Sequence, residues 1–162
     1  MSDLLVKLYA DEFESKKDKL LQDGITIKKA CILDKNRILK FVQENFTDSP
    51  LWVHECEYAL FNNPITCHIA VKNKEVIGFS CHDATAKGFF GPFGVKDSFR
   101  GKGVGRELLI RSLASMKEAG YAYAIIGWTN SAMEFYKKHV NAVEIPDSPP
   151  NKSIYKNSVM QE

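Results

Sequence analysis

The sequence has no C-x-x-C pair, no apolar stretch of membrane-spanning length and no block of like charges. Each absence removes a class of protein. A bilayer helix needs about 20 consecutive apolar residues, so no membrane role is expected. Lys and Arg number 22 against 20 Asp and Glu, a formal charge of +2, and no basic run is present, which argues against nucleic acid as a partner. Met1-Ser2-Asp3-Leu4-Leu5 lacks the basic region and apolar core of a secretory leader, which points to the cytoplasm. No repeat or low-complexity segment interrupts the chain. What is present is ordinary for a globular protein: 44% apolar and 26% charged residues over 162 positions, room for one domain with its own core.

The four cysteines stand at 31, 56, 67 and 81, with His54 near Cys56 and the pairs Cys67-His68 and Cys81-His82. Both pairs fall in strand-like segments, where adjacent side chains point to opposite faces, so each pair offers one ligand to any shared site. Zinc-ligand spacings are absent. The expectation is therefore free cysteines packed as small hydrophobes, with no metal.

Periodicity orders the chain into a mixed α/β domain. Leu4 to Leu8 reads as a short edge strand, Asp11 to Gln22 as a polar helix stopped at Gly24, and Ile25-Thr26-Ile27 as a strand. Asp34 is placed to cap a helix with Ile38, Leu39, Val42 and Phe46 on one side. Ser49-Pro50 looks like the start of a second, carrying Trp52, Cys56, Ala59 and Leu60. Ile65–Val71 and Glu75–Cys81 read as a hairpin turning at Lys72-Asn73-Lys74. The polar turn Asp83–Gly88 leads into the run Phe89–Val95, followed by a long helix over about 103–119 that Gly120 ends. Tyr121–Trp128 reads as a strand, Ser131–His139 as a helix, Ala142–Ile145 as a strand, and Ile154-Tyr155 as a last short strand.

The most informative segment is Arg100-Gly101-Lys102-Gly103-Val104-Gly105, between a strand and the long helix. The first amides of a helix have no internal partner, and the helix dipole places about half a positive charge there. Glycines let an anion approach those amides, and Arg100, Lys102 and Arg106 add formal charge, so the turn suits a polyanion such as a diphosphate. A Walker A loop would continue Gly-Lys-Ser or Gly-Lys-Thr, and a dinucleotide fingerprint would read G-x-G-x-x-G; this turn does neither.

These residues resemble the acetyl-CoA signature of the GNAT superfamily of N-acetyltransferases: Arg or Gln, two residues, Gly, one residue, then Gly or Ala. Arg100, Gly103 and Gly105 fit it in register. A second stretch, Ala132 to Lys138 with Phe135-Tyr136, resembles the family's later helix. The resemblance runs from about Ile25 to Tyr155. It implies a mainly antiparallel central sheet flanked by helices, with the family's fourth and fifth strands, here Phe89–Val95 and Tyr121–Trp128, splayed apart. Residues 25–162 would form the N-acetyltransferase domain and 1–24 an extension packed on it. Pro92, which has no N–H, suits the splay.

The resemblance also implies roles. The backbone from Arg100 through Gly101, Lys102, Gly103, Val104 and Gly105, with Arg106 beside it, would hold the CoA pyrophosphate. Phe93, Gly94 and Val95 would bond the pantetheine arm, Val95 N–H would polarise the thioester carbonyl, and Asn130 and Phe135 would complete the cofactor side. Tyr136 would protonate the departing sulfur. The general base would come from the residues bordering the acceptor cleft: Glu57 is taken as the candidate, beside Glu55 and Asp83, with His54 and His82 of suitable pKa. Trp52, Phe61 and Trp128 could shape an acceptor pocket or pack in the core. Acetyl-CoA is thus the expected acyl donor and a small-molecule amine, such as an amino acid or polyamine, the acceptor, in a monomer or homodimer. A protein amine as acceptor, or a non-catalytic acyl-CoA sensor, are the alternatives. At two positions the chain departs from the family: Thr129 stands where an asparagine is usual, and Asn141 where a glycine ends the tyrosine helix.

Overall fold

The computed structural model describes residues 1–10, 12–129 and 131–159. Seven strands form one sheet: β1 (Ser2–Lys7), β2 (Thr26–Lys29), β3 (Cys67–Lys72), β4 (Glu75–His82), β5 (Phe89–Val95), β6 (Tyr123–Thr129) and β7 (Val143–Glu144). Their order is β2-β3-β4-β5-β6-β1-β7, and every neighbouring pair is antiparallel except β5 and β6. Five α-helices flank it: α1 (Lys17–Gln22), α2 (Lys35–Asn45), α3 (Trp52–Phe61), α4 (Val104–Glu118) and α5 (Met133–Val140). Among the described residues no helix is long and apolar enough to cross a membrane.

Alternation along the strands divides the core by face. Cys67, Ile69, Phe79 and Cys81 turn to one side, where Ile38, Phe41 and Val42 of α2 and Cys56, Ala59 and Leu60 of α3 cover them. Ala70, Ile77 and Val95 turn to the other, under Val104 and Leu108 of α4. That second face continues across Leu4, Val6, Phe90, Ala124 and Ile126, which pack with Leu109, Leu113 and Met116 of α4 and Tyr136 and Val140 of α5. The hairpin turns at Asn73-Lys74, both at positive φ (51° and 64°), as a two-residue connection requires.

Four expectations are corrected. Leu4–Leu8 is not at an edge: β1 pairs with β6 on one side and β7 on the other, because Leu4 and Val6 belong in the core. The first helix is only Lys17–Gln22. Asp11 lies outside the described residues, and Ser15 and Lys16 turn to α4 instead: the Ser15 hydroxyl and the Lys16 N–H (2.9 Å) both donate to the Glu107 carboxylate. Ser49-Pro50 does not start α3, which begins at Trp52 after a turn in which Trp52 N–H donates to Ser49 O at 3.0 Å. Ile154-Tyr155 is a short 3₁₀ turn and not a strand, since Tyr155 packs inward against Phe89 and Trp128.

Candidate active site

The sheet splits between β5 and β6. They pair only at Phe89–Ile125 and Phe90–Ile126, and past Phe90 the strands diverge. Gly91 (φ 116°) and Pro92 stand at the fork, the first turning the chain and the second lacking an N–H for the ladder. Beyond them β5 stays bonded to β4. Lys96 N–H donates to Ile77 O at 2.8 Å, so by antiparallel alternation Gly94 bonds β4 while the N–H and C=O of Phe93 and Val95 point into the gap. Gly94 also permits this packing, since a Cβ there would meet the Phe46 ring at 2.5 Å.

Helix α4 begins at the open end of the split. Gly101 (φ 77°) and Gly103 (φ 86°) are left-handed, and nothing lies within 4 Å of a Cβ built on either. Among the described residues no acceptor takes the backbone N–H of Gly101, Lys102, Gly103, Val104, Gly105 or Arg106. The Arg100 amide is different: it donates to Asp97 O at 3.2 Å, and its guanidinium pairs with the Asp97 carboxylate at 3.2 Å. The free amides therefore start one residue later than the motif. They border a cavity of about 500 Å³ whose charged lining is Lys16, Lys19, Lys72, Lys102 and Arg106 with one acid, Asp23. Glu107, the one acid in the first turn of α4, faces away from it and holds Ser15 and Lys16, while Arg106 donates to Glu14 O at 2.9 Å. The segment before β2 thus builds one wall of the cationic cavity.

Tyr136 sits at the fork. Its ring packs edge-on to Phe90 (6.2 Å), tilted to Phe93 (5.9 Å) and against Phe135 (5.5 Å), and Phe93 stacks on Phe135 at 5.8 Å. Burial first, then nearby Tyr155, hold its hydroxyl above the usual phenol range, so it carries its proton at neutral pH. The first turn of α4 packs on this cluster at Gly105, where an added Cβ would sit in ordinary contact, 3.5 Å from both Phe93 and Val95.

On the opposite face of the split a second set of groups gathers. Glu55 of α3 accepts a short hydrogen bond from Thr85, and burial raises its pKa. Tyr155 is raised by burial and then by the charges of Glu55 and Asp3. It lies 5.1 Å from Trp128 and 6.5 Å from Phe89, ring to ring. Asp3 fastens this corner, accepting from Trp128 N–H at 3.2 Å and from the Ser153 hydroxyl.

The other sequence candidates fall elsewhere. Glu57 pairs with Lys35 at 3.2 Å, away from this group. Asp83 accepts from Gly88 N–H at 2.8 Å and closes the β4–β5 turn. His54 is exposed, whereas His82 is buried with Nδ1 unpartnered and stacks 6.2 Å from His68. Trp52 packs with Phe46 and Phe79 in the core, and Phe61 is exposed beneath Lys35. Asn130 lies outside the described residues. Tyr155 was missed as a site residue; it looked like part of a strand, and only its fold-back reveals it.

The model of the acetyltransferase (GNAT) family matches residues 33–140, from before α2 to the end of α5. The chain belongs to that family. It carries a GNAT-type domain, with the family's mixed sheet and flanking helices. No curated protein matches the sequence. Among solved structures it is similar to the GCN5-related glucosamine N-acetyltransferase region of a fungal multi-domain GH3 β-N-acetylglucosaminidase (TM-score 0.71, 16% identity, 89% of this chain and 19% of that one). It is also similar to a GCN5-related N-acetyltransferase from Sphaerobacter thermophilus (0.67, 19%, 89% and 48%). A third is a GNAT acetyltransferase from Brucella melitensis in complex with acetyl-CoA (0.56, 16%, 78% and 91%). The chain spans 19% and 48% of the first two, a region of each.

Proposed function

We propose that this GNAT enzyme takes an acetyl group from acetyl-CoA and passes it by direct attack to the primary amine of a small molecule. The observation that carries the reading is the run of unpartnered amides from Gly101 to Arg106, at the rim of a cation-lined cavity and at the mouth of the split. A diphosphate fits that run, because its donors are free, Glu107 is already engaged, and five cations outweigh Asp23 in the cavity wall. The inward-facing backbone of Phe93 and Val95 can add an extended amide-bearing arm as a strand.

The thioester supplies an electrophilic carbonyl and a thiol leaving group. Val95 N–H, aimed into the gap, can donate to the carbonyl oxygen as it gains charge. An alkylamine has a pKa near 10.4, so freeing it at pH 7 costs about 4.6 kcal/mol. We assign that proton to Glu55 and not to Glu57, since Glu55 is half-buried beside Tyr155 and Thr85 while Glu57 is engaged by Lys35. Tyr136, kept protonated by burial, delivers its proton to the sulfur as the carbon–sulfur bond breaks and recovers one from the acylated nitrogen, which sheds its second proton as the amide forms. The C-terminal turns lie over the Glu55 side, which favours a compact amine over a protein loop.

Acetyl-CoA mixed with a panel of small amines, with free thiol as the readout, tests the assignment. Turnover with at least one amine is expected; acetylation confined to protein amines would replace the acceptor class. Calorimetry with CoA tests the anion site separately. Lys102→Ala should weaken CoA by roughly 1.5–3 kcal/mol, as for a hydrogen bond to a charged group, and unchanged affinity would move the pyrophosphate elsewhere.

A further inference from the structure

Three of the four cysteines meet in the core, on the α2–α3 side of the sheet. Cys56 of α3, Cys67 of β3 and Cys81 of β4 have no exposed surface, and their Sγ atoms all lie within 4.8 Å of one another. Cys67 and Cys81 are direct cross-strand partners. They flank the bonded pair in which His82 N–H donates to Thr66 O at 2.9 Å, so they occupy the closer, non-bonded type of position. Cys56 projects onto that pair from α3, and the Cys67 thiol donates to His68 O at 3.8 Å. Phe41, Leu60, Ile69 and Phe79 enclose them.

Among the described residues no fourth ligand joins this cluster. His68 and His82 face the opposite side, where the His68 ring nitrogens lie 3.4 and 3.3 Å from the hydroxyls of Ser112 and Ser115. Three soft donors and no fourth is a poor match for zinc, which takes four in a closed structural site. A zinc ion on three thiolates would also leave net charge in an apolar enclosure, a costly arrangement.

We infer that Cys56, Cys67 and Cys81 form a binding site for a trivalent thiophilic centre, of which arsenite is the soluble form. The site uses three sulfurs, and the complex is neutral. Arsenite, As(OH)₃, meets three thiols; three As–S bonds form, three As–O bonds break, and each thiol proton leaves with a hydroxyl as water. Nothing is oxidised or reduced, and no charge is buried at any stage. A three-coordinate centre with bonds near 2.3 Å holds its sulfurs about 3.5–4 Å apart, so the thiols need to close by no more than about an ångström. The bonds would staple α3 to the β3–β4 hairpin.

The test uses the reduced full-length chain with arsenite as the probe. One arsenic per chain is expected, with the intact mass rising by one arsenic less three hydrogens. The melting temperature should rise, because the folded state alone presents the three thiols together. Cys31, exposed and outside the cluster, is the control: Cys31→Ser should bind as the parent does. Cys56→Ser, Cys67→Ser and Cys81→Ser should each fail to retain arsenic through gel filtration. Should those variants not fold, the melting shift of the parent still decides. A fall in melting temperature with arsenite would mean capture by the unfolded chain and overturn the inference. So would a failure to retain arsenic, whether added to the folded chain or during refolding, or preferential uptake of zinc.

Discussion

Tyr136 and Glu55 face each other across the split through Tyr155, and the two make separable predictions. Tyr136→Phe keeps the ring that packs on Phe90, Phe93 and Phe135 and removes only the proton donor. Turnover should fall on the order of 10²-fold, the low end for general acid catalysis, with CoA affinity by calorimetry nearly unchanged; full turnover would show that the sulfur leaves without this hydroxyl. In steady-state assays Glu55→Gln should lower kcat by a similar factor, while Glu57→Gln, which loses the pair with Lys35, should leave it close to the parent value. The reverse pattern would restore Glu57 as the base. Tyr136 was legible because the Phe135-Tyr136 pair sits in a motif at a set distance from the glycine turn. The choice between Glu55 and Glu57 was not. Two residues apart on a helix, they point about 200° apart, and only the docking of α3 decides which looks toward the opening.

At the scale of elements, the proposed cofactor site rests mostly on α4. Its buried residues face the sheet, its first turn opens on the cavity, and Gly103 at its start adopts a φ that other L-residues reach at a cost of about 1–2 kcal/mol. Gly103→Ala meets no steric obstacle, since nothing lies within 4 Å of the added methyl. The variant should therefore fold with a melting temperature only a few degrees lower, yet bind CoA on the order of tenfold more weakly as the amides lose their aim. Equal losses in stability and binding would argue that the turn is structural only. The hairpin, α4, and the strand–turn–helix around Gly101–Gly105 were readable because local turn chemistry and period set them. The start of α1 and the C-terminal turns were not. Their hydrogen bonds go to residues distant in the chain, Ser15 and Lys16 to Glu107 and Ser153 to Asp3.

For the whole molecule, the first 24 residues matter more than their polar composition suggests. β1 lies between β6 and β7, buries Leu4 and Val6 completely, and through Asp3 holds the strand end at Trp128 and the turn at Ser153. Each fully buried aliphatic side chain contributes about 1.5–3 kcal/mol, and a domain's entire margin is about 5–15 kcal/mol. A chain beginning at Ile25 would lose several such side chains, two strand ladders and one wall of the cationic cavity. It should show no cooperative thermal transition by circular dichroism; a truncated chain melting near the parent temperature would make the segment an accessory.

Local patterning was enough to read off most element types, the glycine turn before α4 and the helix carrying Tyr136, because those depend on backbone freedom, helix ends and side chains a few positions apart. It was silent on the place of Glu55 beside Tyr155, the central place of β1, the inward turn of Tyr155 and the meeting of Cys56, Cys67 and Cys81. Each of these joins residues from separate elements. Which of them come within bonding distance depends on how strands register and helices dock, and that is set by the packing of the whole core.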